Sequence, residues 1–143
     1  MEVTSPSFIQ NGMIPQKFTC DGSDVNPALE LHAVPQETQS LTLIVDDPDA
    51  PGGTFDHWIV YDIPLTSRIE EDSIPGKQGM NDFRNTQYGG PCPPSGTHRY
   101  FFKVYALDQN LRLPQGKRKR DVQRAMQGHI LANAALVGRY NRT

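Results

Sequence analysis

A mainly β fold is what this sequence predicts, and three features carry the prediction. Three runs, 41–47, 55–63 and 98–108, alternate apolar and polar positions and are rich in β-branched and aromatic residues, the mark of half-buried strands. Twelve prolines and twelve glycines among 143 residues cut the chain into short elements joined by many turns. Only one stretch, after the basic run 117–120, repeats apolar residues at helical spacing.

Taken in order, residues 1–20 hold Phe8-Ile9, Ile14 and Phe18, enough for one or two short edge strands. Turn formers at 20–27 lead into a short strand at 28–32, where His32 sits at a strand edge. The run 41–47 is the first strong strand and 55–63 the second. On the second, strict alternation places His57, Ile59 and Tyr61 on one face and Trp58, Val60 and Asp62 on the other. Residues 64–85 are polar and long for a plain loop, which marks them as functional or mobile. In the third strong strand His98, Tyr100, Phe102, Val104 and Ala106 share a face. Asp121 then opens the helix, and Val122, Ala125, Met126, His129, Ile130, Asn133 and Val137 form its inner stripe, with Gly138 as the stop. His129 is read as a packed histidine on that stripe.

The length suits one domain, 1–143, with a real core. Lys and Arg number 14 against 16 Asp and Glu, which argues against a nucleic-acid surface. No apolar run is long enough to span a bilayer. The N-terminus has neither the basic start nor the apolar stretch of a signal peptide, so a cytoplasmic location is expected. Two cysteines, Cys20 and Cys92, lie in turn-like settings 72 positions apart; they fit no zinc motif and no CxxC. In a cytosol they would be free thiols, and the sequence leaves open whether they meet.

Two segments exceed what turns require. VDDPDAPGGTFDHW at 45–58 sets Asp46, Asp47 and Asp49 among prolines, with His57 at the mouth of the next strand. QYGGPCPPSG at 87–96 is stiff and helix-free and ends at a second strand-mouth histidine, His98. If the three strong strands are neighbours in one antiparallel sheet, Asp47, His57, His98 and Tyr100 converge. Imidazoles and a phenol are donors suited to a phosphate-like anion.

These segments resemble the phosphatidylethanolamine-binding protein family. The resemblance rests on DPDAP at 47–51, His57-Trp58 and PPxGxHRY at 93–100. It is reinforced by FTCDG at 18–22, Asn26-Pro27, GPCPP at 90–94, YALD at 105–108 and Gly128-His129, which are similar to the prokaryotic branch. It implies a two-sheet antiparallel β-sandwich with Greek-key links, few short helices and a C-terminal helix. It also implies an anion pocket built from Asp47, Pro51, His57, Gly90, Pro93, Pro94, His98 and Tyr100. Asp49 belongs to the same motif and is expected to brace the loop. A cis Ala50-Pro51 bond is expected from the tight turn and the resemblance. The stretch between Pro51 and His57 is abbreviated relative to the eukaryotic members, so their regulatory roles do not transfer.

The function this suggests is a binding module for a phosphorylated head group or small anion, with regulation of a partner protein as a further role and no cofactor. The alternative is a protease inhibitor acting through an exposed loop at 90–96 or 64–85. An enzyme is disfavoured: no Gly-x-Ser-x-Gly is present, and Cys92 between prolines is poorly placed for activation. A metal held by two histidines and an aspartate is a further, weaker reading.

Overall fold

The computed structural model describes residues 1–142, which form two antiparallel sheets, one α-helix and a single 3-10 turn at Gln16–Phe18. The small sheet contains β1 (Glu2–Thr4), β2 (Leu29–His32) and β5 (Arg68–Ile69), in the order β1-β2-β5. The large sheet contains β3 (Ser40–Asp47), β4 (Phe55–Pro64), β6 (Lys77–Gln78), β7 (Thr97–Leu107) and β8 (Ile130–Asn141). Its order is β6-β4-β3-β7-β8, so the three strong strands are neighbours with β3 at the centre. The chain leaves β4, visits the small sheet, adds β6 at one edge and crosses to lay β7 on the far side of β3. Among the described residues no helix is long and apolar enough to cross a membrane.

The alternation of the strands explains the layers. Leu41, Leu43 and Val45 of β3, Trp58, Val60 and Ile63 of β4 and Tyr100, Phe102, Val104 and Ala106 of β7 face inward. They pack against Val3, Leu29, Leu31 and Ile69 of the small sheet. Every residue of β3 is buried, as a central strand covered on both faces requires. On the outer face Ile44, Ile59, Tyr61 and Leu107 are covered by Val122 and Met126 of α1 (Lys119–Met126). Burying such side chains, about 1.5–3 kcal/mol each, holds a helix too short to persist alone.

Two expectations are corrected here. The helical stripe does not run to Val137: α1 ends at Met126, Gly128 takes φ +81°, and Ile130 to Asn141 form a strand. β8 pairs with β7 along its whole length, from Thr97↔Asn141 to Leu107↔Ile130. That ladder and the cover over Leu136 outweigh a helical period read from the sequence alone. Gly138 is no helix stop but a close approach, since a Cβ there would lie 2.5 Å from Ile14 Cγ1. The second correction is that no peptide bond among the described residues is cis, so Ala50-Pro51 is trans.

Candidate functional site

The β3–β4 ladder carries a bulge beside the two strand mouths. Val45 faces Trp58 and Asp46 faces Asp56, which leaves His57 as the extra residue. A bulge re-aims the side chain it inserts. His57 therefore leaves the Ile59–Tyr61 face that plain alternation gave it and joins the side of Tyr100, its ring 5.3 Å from the tyrosine's and edge-on to it. Asp46 and Asp56 turn to the opposite face, where Lys103 binds Asp46 at 2.9 Å and Lys119 binds Asp56 at 2.6 Å.

The result is a pocket of about 220 Å³ lined by Asp47, Pro51, His57, Pro93, Pro94, His98 and Tyr100, together with Ala50, Phe55, Phe83 and Cys92. Gly90 and Asp49 of the predicted set stand behind it. The Gly90 N–H donates to Asp24 Oδ1 at 2.8 Å, and a Cβ at that position would strike the Phe18 carbonyl, so glycine lets two loops touch. Asp49 is held by Arg99 through its main-chain N–H and its guanidinium at 2.8–2.9 Å. Those hydrogen bonds bring the Asp49 carboxyl down to about 2, against a smaller opposing effect of burial. These contacts tie the 47–51 turn to the start of β7. His129 binds Asp108 Oδ1 at 2.9 Å, and His32 meets Thr4 Oγ1 at 2.8 Å; neither lines the pocket.

Hydrogen bonding fixes the form of each pocket group. His57 Nδ1–H donates to the Gly89 carbonyl at 2.7 Å, and its main-chain carbonyl accepts from Asn81 Nδ2 at 3.1 Å. Burial lowers the His57 pKa, so this ring is neutral at pH 7. His98 Nδ1–H donates to Asp47 Oδ2 at 2.7 Å, while Asp47 Oδ1 accepts the Asp49 N–H at 2.7 Å. With both Nδ1 atoms engaged, Nε2 is the nitrogen each ring has left for the pocket it lines. The Tyr100 hydroxyl stays protonated: burial raises its pKa first, and the Asp47 charge raises it further. Among the described residues no three His, Cys, Asp or Glu side chains are grouped as a metal ion needs.

Sequence reasoning missed Phe55, Phe83, Ala50 and Cys92 as lining residues. Phe55 could have been read from its place two residues before His57. Phe83 lies in a segment with no periodicity. It is positioned by Asn81, whose Oδ1 accepts the N–H groups of Phe83 and Asn85. Cys20 and Cys92 are joined in a disulfide, with Cα atoms 5.4 Å apart, so they are not the free thiols expected of a cytosol. Such bonds persist in oxidising compartments and inside hyperthermophiles.

A sandwich of this topology with this pocket at its strand mouths defines a class, and comparison with known proteins gives the same answer. The family model described as phosphatidylethanolamine-binding protein matches residues 4–141, and the chain belongs to that family. It is 50% identical to a UPF0098 protein of Aquifex aeolicus, over 99% of this chain and 89% of the relative. It is 45% identical to a UPF0098 protein of Methanothermobacter thermautotrophicus, over 99% of each. Among solved structures it is similar to a putative phosphatidylethanolamine-binding protein homologue from Chlamydia trachomatis, with TM-score 0.96, 40% identity and coverage of 99% and 97%. A second similar structure, from E. coli, is described as a new member of the mammalian family; it has TM-score 0.91, 28% identity and coverage of 99% and 98%.

Proposed function

We propose that the pocket captures a small phosphate-like anion or phosphorylated head group, and takes up a proton as it does so. The observation that carries this reading is the pair of imidazoles tied at Nδ1. In its neutral form, a ring tied in this way presents only a lone pair at Nε2. An anion gains donors only when a ring becomes imidazolium, with Nδ1–H kept on its fixed acceptor and Nε2–H turned to the ligand. Tyr100 keeps a neutral hydroxyl beside Asp47, whose one proton can turn to a bound anion. The Asp47–His98 hydrogen bond orients the His98 ring toward the pocket it lines.

Calorimetric titration with inorganic phosphate and with phosphorylethanolamine, at pH 5.5 and 7.5, tests this. Affinity is expected to rise as pH falls. His98→Ala, which removes a donor to a charged group, is expected to cost about 1.5–3 kcal/mol of affinity. Equal affinities for the two proteins, or tighter binding at the higher pH, would contradict the proposal.

The second reading, protease inhibition, is favoured by one observation. Residues 94–97 are exposed on a proline-stiffened loop that a disulfide anchors, the kind of rigid projection an inhibitor presents. Inhibition assays against representative serine and cysteine proteases, with Pro94→Gly as the control variant, would test it.

A further inference from the structure

The disulfide lies in the wall of the pocket. Cys92 lines the cavity between Pro91 and Pro93, and its main-chain amide lies against the Tyr100 hydroxyl. Cys20 is exposed and Cys92 half-buried, so the bond is open to solution. Main-chain hydrogen bonds do little to fix this wall, although Pro91 and Pro93 are buried. The Cys20 N–H reaches the Pro91 carbonyl at 3.1 Å, and the β7–β8 ladder begins at Thr97↔Asn141. Among the described residues, no hydrogen bond between main-chain groups holds 92–96 to the rest of the chain. Prolines at 93 and 94 contribute no donor of their own.

Charge around the bond is asymmetric. Arg142 Nη1 sits 3.6 Å from Cys92 Sγ, and Arg142 Nε is 3.3 Å from Asp21 Oδ1. A guanidinium beside a sulfur stabilises its thiolate, which makes Cys92 the better leaving group and exposed Cys20 the sulfur open to attack.

We infer that Cys20–Cys92 is a redox latch on the pocket: a dithiol opens it, the wall at 92–96 loosens, and anion affinity falls. This rests on the anion-binding reading above. A thiolate of the dithiol attacks Cys20 Sγ, forming a mixed disulfide and releasing Cys92 as a thiolate beside Arg142. The reductant's second thiolate then attacks its own sulfur in the mixed disulfide, closing the reductant's disulfide and releasing Cys20. Two electrons pass to the protein, and the two thiolates take their protons from the dithiol by way of solvent. The bound state needs Cys92 in place against Tyr100. If the loosened wall holds that arrangement about a tenth of the time, apparent affinity drops about tenfold.

The test is phosphate titration of the oxidised chain, of the chain reduced with dithiothreitol, and of Cys20→Ser, with circular dichroism on each. Expected are binding by the oxidised chain, about tenfold weaker binding by the other two, and unchanged secondary structure. A monothiol, mercaptoethanol, should leave its adduct on Cys20, and Arg142→Ala should slow reduction. No phosphate binding by the oxidised chain would overturn the anion-binding reading itself. Equal binding by oxidised and reduced chains would overturn the latch alone. Loss of fold on reduction, resistance of the native chain to dithiothreitol, or an adduct on Cys92 would each overturn the latch as described.

Discussion

The β3–β4 pair carries a bulge at each end, and each end holds an aspartate with a covered side chain, yet the two ends do different things. At one end Asp62, at φ +52°, accepts the Leu111 N–H at 2.6 Å on Oδ1, and the Leu113 N–H at 3.3 Å and Lys77 Nζ at 3.2 Å on Oδ2. Every partner is internal, and the carboxylate pins the 111–113 segment to the sheet. At the other end each oxygen of Asp47 also has a partner, the Asp49 N–H on Oδ1 and His98 Nδ1–H on Oδ2. One of its partners, however, is a ring whose second nitrogen is left for a cavity. A satisfied carboxylate is structural glue when its partners stop there; it orients a binding group when the partner has another face to offer.

Breaking the Asp62 end should have the largest effect on stability. Asp62→Ala strands main-chain donors that a charged group now satisfies, and a loss of about 3 kcal/mol is expected in urea unfolding, with phosphate affinity unchanged in the folded fraction. His98→Ala should show the converse, a binding loss with the fold retained. If Asp62→Ala weakens binding while the chain stays folded, the two ends are not independent.

A smaller effect comes from pH. The folded chain keeps a proton off His57, whose pKa burial lowers, while the unfolded chain takes one up near the ordinary value of about 6.5. The unfolded state therefore binds more protons in that window. The His57 contribution is whole above about pH 6.5, declines as pH falls, and levels off once the folded ring protonates too. Urea midpoints at pH 7.5 and 5.5 should fall less for His57→Gln than for the parent chain. An identical fall would place the pH sensitivity elsewhere.

The smallest effect belongs to the loop brace. Asp49 is half-buried and its partner Arg99 is exposed, so Asp49→Asn should cost no more than about 1 kcal/mol at neutral pH. With its carboxyl at about 2, Asp49 favours folding above the ordinary aspartate range, and that contribution disappears only as pH falls through about 2. A parent and variant that differ equally at pH 1.5 and pH 7 would show that the brace does not act through charge.

How much of this was legible in the sequence differs by region. The strands around β3 were readable because apolar alternation records which face is buried. The faces of β7 were read correctly to the residue, and Asp47, His57, His98 and Tyr100 do meet around one cavity. The face of His57 was not readable, because a bulge depends on the register between two strands and a single strand's pattern carries no register. Residues 130–141 misled for a related reason. Val122, Met126, Ile130, Asn133 and Val137 fit a helical period, while the strand they join is specified by β7, far away in sequence. Gly128 was the one local sign of a break. Phe83 and the Cys20–Cys92 pairing depend on loop paths that no periodicity encodes.

The central claim is that two imidazoles, each tied through Nδ1, meet an arriving anion as charged Nε2 donors. Imidazole nitrogen-15 chemical shifts of His57 and His98, recorded at pH 7.5 with and without saturating phosphate, test it directly. The account predicts that His57 in the free chain carries its proton on Nδ1 with a bare Nε2, and that phosphate brings at least one of the two rings to imidazolium. A free chain with His57 protonated on Nε2, or phosphate saturation that leaves both rings neutral, would contradict it.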